Sequence, residues 1–557
     1  MVRYRVMARG SRVRRPRPGR RPAVAALAAA CMAALAICSG PLISCASAPG
    51  LRFGGGSLVV GVPAAPDSPN PYLATSSLGR WVGDLLLLPL ARQASDFTRH
   101  PPRFTPALAS RWEIAAGGRE VIFHLDPRAQ WSDGKPVTPT DVIFTWKIQT
   151  DPVLAWPGRA AKRDLEAVEA IDARTIRFRF RRPSPNALMN AAEGPILPAH
   201  RLRGLQTSQW SRADWSRFLV YSGPYLLSSW DPAGSIRLAA NPHYLFEALP
   251  LLDKLELRVI TDPAARAAQL MEGRLDLAVE MAPEDFAKAR QKAELRCESV
   301  PDLQMAYIGW NSERIPLGDV VVRRALSLAV DRQGMVRETL GGAGRPASGP
   351  ILSHFWIHDP KLVPARHDLL QARRLLDGLG FRDRDADGIL ERAGRRFTFK
   401  LAIAEGDTLS EKLAMRVYSD LQKLGVDIEI QPLAAAEFAR RRGSGDFDAY
   451  LAGLEVGARL DLAPLYHSSQ AGSPLNDSRL VDATLDTLIE RAGAAEDLPS
   501  LTAGWREVEK RAVELQPYTF LIEKDRMVAL SRRFADARFD VRGPLATLEH
   551  WQVQAGD

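Results

Sequence analysis

The sequence predicts an α/β protein of more than one lobe, and three observations carry that prediction. Its 557 residues exceed what a single hydrophobic core organises, since cores stop growing beyond about 250–300 residues. Short alternating apolar runs recur beside helices with explicit start and stop signals. Near residue 400 a strand, a helix and a second strand succeed one another at the spacing of a βαβ unit.

The first segment stands apart from any lobe. Residues 1–44 carry nine arginines and no acid, followed by an apolar run from Ala23 to Cys38. These are the n-region and h-region of a secretory signal, and a run of 16 residues falls short of the about 20 that a membrane span needs. Leu42-Ile43-Ser44-Cys45 resembles a lipobox, which implies cleavage before Cys45 and lipidation of its thiol. The alternative is an ordinary cleavage site in which Cys45 is one more small residue. The four cysteines are Cys31, Cys38, Cys45 and Cys297, so a mature chain beginning at Cys45 has no disulfide framework. Arg14-Arg15 and Arg20-Arg21 lack the residues that accompany a twin-arginine export signal.

Removing nine of the 74 basic residues leaves 65, equal to the 65 acidic ones. The basic character therefore belongs to the leader and gives no support for nucleic-acid binding.

Along the mature chain, Ala46 to Ser57 with Gly54-Gly55-Gly56 reads as a tether. Leu58 to Val62 is a buried-strand candidate, and Pro63 to Pro71 a proline-dense loop. Val121, Phe123 and Leu125 alternate with Ile122 and His124 as one strand with an apolar face. Asp133-Gly134 supplies a turn. Thr138 is then an N-cap, Pro139 the first helical residue, and Asp141 sits three residues after the cap, facing unpaired amides and the positive dipole end.

Strands are predicted from Ser222-Gly223-Pro224-Tyr225 onward, from Leu255 to Ile260, and after the helix closed at Gly273. Asp319 caps a helix whose Val322, Leu326 and Ala329 share a face. Leu369, Ala372, Leu376 and Leu379 form another stripe, ended by Gly380. Phe397, Phe399, Leu401 and Ile403 alternate, a helix runs from about Ser410 to Leu424, and Val426, Ile428 and Ile430 alternate again.

The stretch from Trp112 to Trp146 resembles a signature of the family 5 extracellular solute-binding proteins, the receptors of peptide, nickel and related ABC importers. Further matches follow in the family's order: Gly223-Pro224-Tyr225, Asn241-Pro242-His243-Tyr244, Gly273 to Asp276, Ala306 to Asn311, and the helix from Asp319 to Arg332. The resemblance covers about residues 55 to 540. It implies a two-lobed periplasmic-binding-protein fold of the class II type. Lobe I would comprise 58–83, 195–301 and 525–557, with an inserted subdomain at 84–194, and lobe II would comprise 302–524.

The resemblance also implies function. It points to a lipid-anchored, monomeric substrate-binding component that captures peptides between its lobes and delivers them to a membrane permease driven by an ATPase. In peptide-binding members a carboxylate fixes the ligand's amino group. Asp446 to Leu454 resembles the strand leading to that residue, yet the tryptophan position holds Leu454 and the anchor position holds Gly457. Asp461 or Glu455 would then supply the carboxylate. Arg442 matches a family arginine near the cleft, Trp310 and Asn311 lie where the first crossing strand meets it, and Glu523 lies near the return crossing. Two of these have alternatives: Arg442 as one of three solvated arginines on a helix end beside Arg440 and Arg441, and Trp310 as core.

Catalytic signals are weak. Gly134-Lys135 is not a phosphate loop, because Ala129 replaces the first glycine and Pro136 the hydroxyl. No G-x-S-x-G elbow occurs, Cys297 has no local partner for a thiol nucleophile, and His354 with His358 lacks the glutamate of a zinc helix. No cofactor or resident metal is expected. Asp383, Asp385 and Asp387 before Gly388 resemble a calcium loop, but position twelve holds Gly394 rather than glutamate, and a solvated turn is the alternative. Other readings of the same fold are a non-peptide solute (nickel chelate, opine or sugar) and a surface receptor or chaperone-like lipoprotein outside transport.

Overall fold

The computed structural model describes residues 55–554 apart from Ala155, Ala458, Pro474 and Ala535. The leader, Cys45 and most of the tether lie outside the described residues.

The local signals act as the sequence predicts. Glu120–Leu125 is a strand that buries Val121, Phe123 and Leu125. It forms the middle of a four-stranded antiparallel sheet in the order Ala109–Ala115, Glu120–Leu125, Thr175–Phe180, Leu165–Ala170. The helix Pro139–Thr150 follows. The Thr138 amide donates to Asp141 Oδ2 at 2.8 Å, and the other oxygen accepts from the Ala199 amide at 2.8 Å. One carboxylate thus caps the helix and ties it to the chain leaving this sheet.

A larger sheet unites the molecule. Its order is Asp427–Leu433, Thr398–Ala404, Ala449–Glu455, Leu295–Trp310, Tyr518–Ser531, Leu277–Ala278, Ser57–Val62, Lys254–Val259, Ser235–Ala240 and Tyr225–Trp230. The two long strands, Leu295–Trp310 and Tyr518–Ser531, run antiparallel through both lobes. Their register shifts between Pro301 and Met305, and again between Ala306 and Tyr307. Bulges bend and twist a strand, so the sheet turns here from one lobe to the other. Asp302 and Arg526 sit at this crossing, 3% and 5% exposed, joined at 2.5 Å.

Each lobe has its own core. In the first, Leu58, Val60, Phe123, Tyr225, Leu257 and Trp551 belong to one buried cluster. In the second, Ile308, Val322, Leu326, Leu401, Val417 and Leu421 form another. The βαβ unit is present as Thr398–Ala404, Thr408–Leu424 and Asp427–Leu433, with the two strands parallel. Asp407 caps the helix one residue ahead of Thr408, two residues earlier than the periodicity predicts, because its carboxylate accepts from the Ser410 amide. Gly425 ends it at φ 88°, a left-handed value glycine adopts without a Cβ clash. Leu413, Val417 and Leu421 are fully buried, each contributing about 1.5–3 kcal/mol.

Candidate functional site

The wall of the cleft is built around the helix Ser77–Leu86. Asp67 holds its entry, accepting from the Thr75 amide at 2.6 Å and the Ser76 amide at 3.0 Å. Burial alone would raise this carboxyl, but hydrogen bonds from Ser76 and Thr75 outweigh it and hold the pKa at about 2. Val82, Leu85 and Leu86 go into the core. Ser77, Arg80, Trp81 and Asp84 follow one another at helical spacing on the opposite side. Arg80 forms an ion pair with Glu455 of the second lobe, which Ser77 also meets at 3.2 Å.

The motifs of the sequence brace this helix. The Gly223 amide donates to Leu86 O at 2.9 Å, and a Cβ at position 223 would lie 2.4 Å from Leu85 O. Only glycine allows that approach. Asn241 Nδ2 donates to Gly223 O at 2.8 Å. Three residues on, the Tyr244 hydroxyl donates to Glu549 and accepts from Arg92 at 3.0 Å. Arg92 also meets Glu549 at 2.6 Å. Although burial raises the Glu549 carboxyl, His550, Arg92 and Tyr244 together pull it down to about 2.

A third wall is held from behind. Lys162 Nζ donates to Asn190 O at 2.6 Å and Glu193 O at 2.9 Å. Burial pushes this amine down to about 8. Gln149 reaches Glu193 O at 3.0 Å and the Tyr72 hydroxyl at 2.8 Å. Gly194 has φ +92°, and a Cβ there would lie 2.6 Å from the Gln149 amide nitrogen.

Between these walls lies a cavity of about 750 Å³, within the roughly 300–1,000 Å³ usual for solute sites. Trp81, Asp84, Arg92, Glu193, Arg542 and Glu549 line it from the first lobe, and Gly457 and Arg459 from the loop that follows strand Ala449–Glu455. Arg459 stands 3.7 Å from Glu193, and the Arg459 Nε and Glu193 Oε2 atoms there are buried without a hydrogen-bond partner. Asp84 is exposed to the cavity. Desolvation by the surrounding cavity wall pushes its carboxyl up to about 6, against the pull of Arg92, Arg542 and Arg80.

None of the five site residues expected from sequence lines this cavity. Trp310 is core: 1% exposed, with its ring against Phe399 and Nε1 donating to Thr519 Oγ1 at 2.9 Å. Asn311, equally buried, donates to Phe447 O at 2.9 Å and Gly445 O at 3.1 Å. Arg442 pairs with buried Asp477 at 2.6 Å and lies over the Tyr450 ring at 4.3 Å. Asp461 accepts from the Ala463 amide at 3.1 Å. Glu523, fully buried, accepts from the Ser353 amide at 2.8 Å and the Ser353 hydroxyl at 2.7 Å.

The cavity carboxylates and arginines escaped sequence reasoning because Arg92 and Glu549 are far apart in the chain. A usable signal did exist at Arg80-Trp81 and Asp84, charged and aromatic residues just before the apolar run Leu85 to Leu88. Elsewhere, Asp383, Asp385 and Asp387 bring carboxylate oxygens within 4.8 Å of one another. The same loop uses them internally: Asp383 accepts from the Gly388 amide at 3.1 Å, and Asp387 meets Arg396 at 2.5 Å.

Two α/β lobes joined through one sheet and facing a cavity of this size define a solute-binding protein. The family model of the bacterial extracellular solute-binding proteins, family 5, matches residues 103–472, and the chain belongs to that family. It is 27% identical over 526 residues to the oligopeptide-binding protein AppA of Bacillus subtilis, covering 93% of this chain and 96% of the relative. Protein XP55 of Streptomyces lividans is 30% identical over 519 residues, covering 90% of each. The structure of B. subtilis AppA in complex with a nonapeptide matches with a TM-score of 0.77 at 25% identity, covering 90% of this chain and 99% of that one.

Proposed function

We propose that this protein is the peptide-capturing component of an ABC importer. The observation that carries the reading is the cavity of about 750 Å³ walled by both lobes, in a chain whose full-length relatives include an oligopeptide-binding protein. Polar groups that closure removes from water must be matched by the ligand or by protein. Here the Arg459 guanidinium and the Glu193 carboxylate meet across the cavity wall at 3.7 Å, so two of its charged groups are matched by protein. The protein breaks no bond; binding favours the closed arrangement of the lobes, which docks on a permease powered by its ATPase.

In this reading the mature protein is a monomer held at the outer face of the membrane by lipid on Cys45. The inserted subdomain spans 84–194, and the register break after Pro301 supports starting lobe II at Asp302. The test is native mass spectrometry of the purified protein followed by titration with a peptide library. Retained or added peptide masses are expected. A single non-peptide species in the cleft, with no binding from the library, overturns the assignment.

A further inference from the structure

We infer that Phe97 is an apolar clasp between the lobes: with no solute bound, its seat in the second lobe holds the cleft shut over the cavity. The inference rests on the reading of that cavity as a solute site and adds what keeps it closed when empty.

Phe97 sits in the short turn Ser95–Thr98 of a hairpin whose strands are Ala91–Gln93 and Phe104–Pro106. The base of this hairpin belongs to the first lobe, where Ala91 is part of the core cluster and Phe104 packs against it. The tip belongs elsewhere. Phe97 is 3% exposed and lies in a separate buried cluster with Tyr307, Ile351, Leu352, Phe355 and Phe520 of the second lobe. Its ring meets Phe355 edge to face at 5.7 Å, a favoured aromatic geometry.

A second first-lobe segment makes the same crossing. Val541 is in the second-lobe cluster, while Leu545 and Leu548 shortly after it are in the first-lobe core. Arg542 Nη1 donates to Gln93 O at 3.0 Å, so the two crossing segments are tied to each other. The hairpin tip is also shaped by its own contacts. Asp96 pairs with Arg103 and, at 3.0 Å, with His100, and the Ala94 amide donates to Arg103 O at 2.8 Å. A preformed tip loses little freedom on seating.

The clasp stands at the margin of the cavity, which Gln93, Ala94, Ser95, Phe104 and Thr105 line. Parting the lobes to admit a solute therefore draws Phe97 from its seat and bares two aromatic rings to water, which the hydrophobic effect opposes. The other contacts between the lobes resist less. The Arg80–Glu455 pair is 39% and 44% exposed, the Arg459–Glu193 pair 22% and 32%, and solvent-exposed ion pairs contribute little.

The test is small-angle scattering of the purified full-length protein in contrast-matched detergent, once native mass spectrometry shows the cleft free of solute. Phe97→Ala is expected to lower the ratio of compact to open molecules by about 10- to 100-fold, the effect of burying one phenylalanine ring, and so to raise the radius of gyration. Phe355→Ala should do the same, and the double variant should add little, because both changes remove one contact. Phe97→Leu keeps an apolar side chain, supplies a folded comparison and should stay nearer the wild type. Equal radii for wild type and Phe97→Ala, even with a lower urea midpoint, show a merely structural role and overturn the clasp while the peptide reading stands. A wild type already open when empty overturns it too. The expected expansion, in a protein that binds none of a peptide library, overturns the peptide reading and leaves the clasp in place.

Discussion

Removing Asp302 is expected to destabilise the protein by about 3–5 kcal/mol, the usual cost of stripping one partner from a buried ion pair. Asp302 and Arg526 are 3% and 5% exposed and 2.5 Å apart, with Lys524 at 3.8 Å as a second cation. At an effective dielectric near 20, charges about 4 Å apart attract by about 4 kcal/mol, which agrees with that range. In Asp302→Ala, Arg526 keeps its stacking on Trp81 but loses its counter-charge at the bend between lobes. The assay is equilibrium urea unfolding of Asp302→Ala, Arg526→Met and the double variant. The double variant should cost at least about 2 kcal/mol less than the two single losses together, because no charge is left stranded. A cost below about 1 kcal/mol for Asp302→Ala, or additive losses, would refute the assignment of this pair as a buried structural contact.

Trp310→Phe should cost about 1–3 kcal/mol through lost volume and the lost bond to Thr519, with peptide affinity unchanged in titration; a large affinity loss with intact stability would return Trp310 to the cleft. Asp84→Asn should stabilise the unliganded protein near neutral pH. A carboxyl raised from 3.8 to about 6 adds no penalty below 3.8, loses stability between the two values and carries the full penalty above. For an exposed group, cavity water reduces this to about 1 kcal/mol, and thermal melts of variant and wild type should converge toward pH 4. Arg80→Ala removes a cross-cleft pair that is 39% and 44% exposed. Stability should fall by at most about 1 kcal/mol, while peptide affinity falls a few fold at low salt and the difference fades at high salt. A salt-independent effect would count against the pair.

Where a signal is local, the sequence was readable. The capping carboxylate of Asp141, the αL glycine at Gly425 and the alternation around Phe123 each rest on residues within a few positions of one another. They were visible before any fold. Asn241 to Tyr244 was visible as a family motif, but its purpose was not, since Tyr244 acts on Arg92 and Glu549, 152 and 305 residues away. The five expected site residues lie outside the lining of the cavity. Trp310, Asn311 and Glu523 sit on or beside the crossing strands, near the cleft in sequence terms. Strand pairing and core packing turn their side chains to Thr519, Phe447 and Ser353. Position along a strand does not fix what a side chain faces once two lobes pack around it.

The order of the chain through the large sheet bears on how this protein is made. Strand Leu277–Ala278 pairs with Leu530 and Ala529 near the C-terminus, Trp551 is in the first-lobe core, and Glu549 completes the cavity wall. A nascent chain emerging N-terminus first therefore holds an unfinished first lobe until almost its last residues arrive. The second lobe, although later in sequence, has nearly all of its core residues in hand sooner. The lobe that begins with strand Ser57–Val62 therefore closes last.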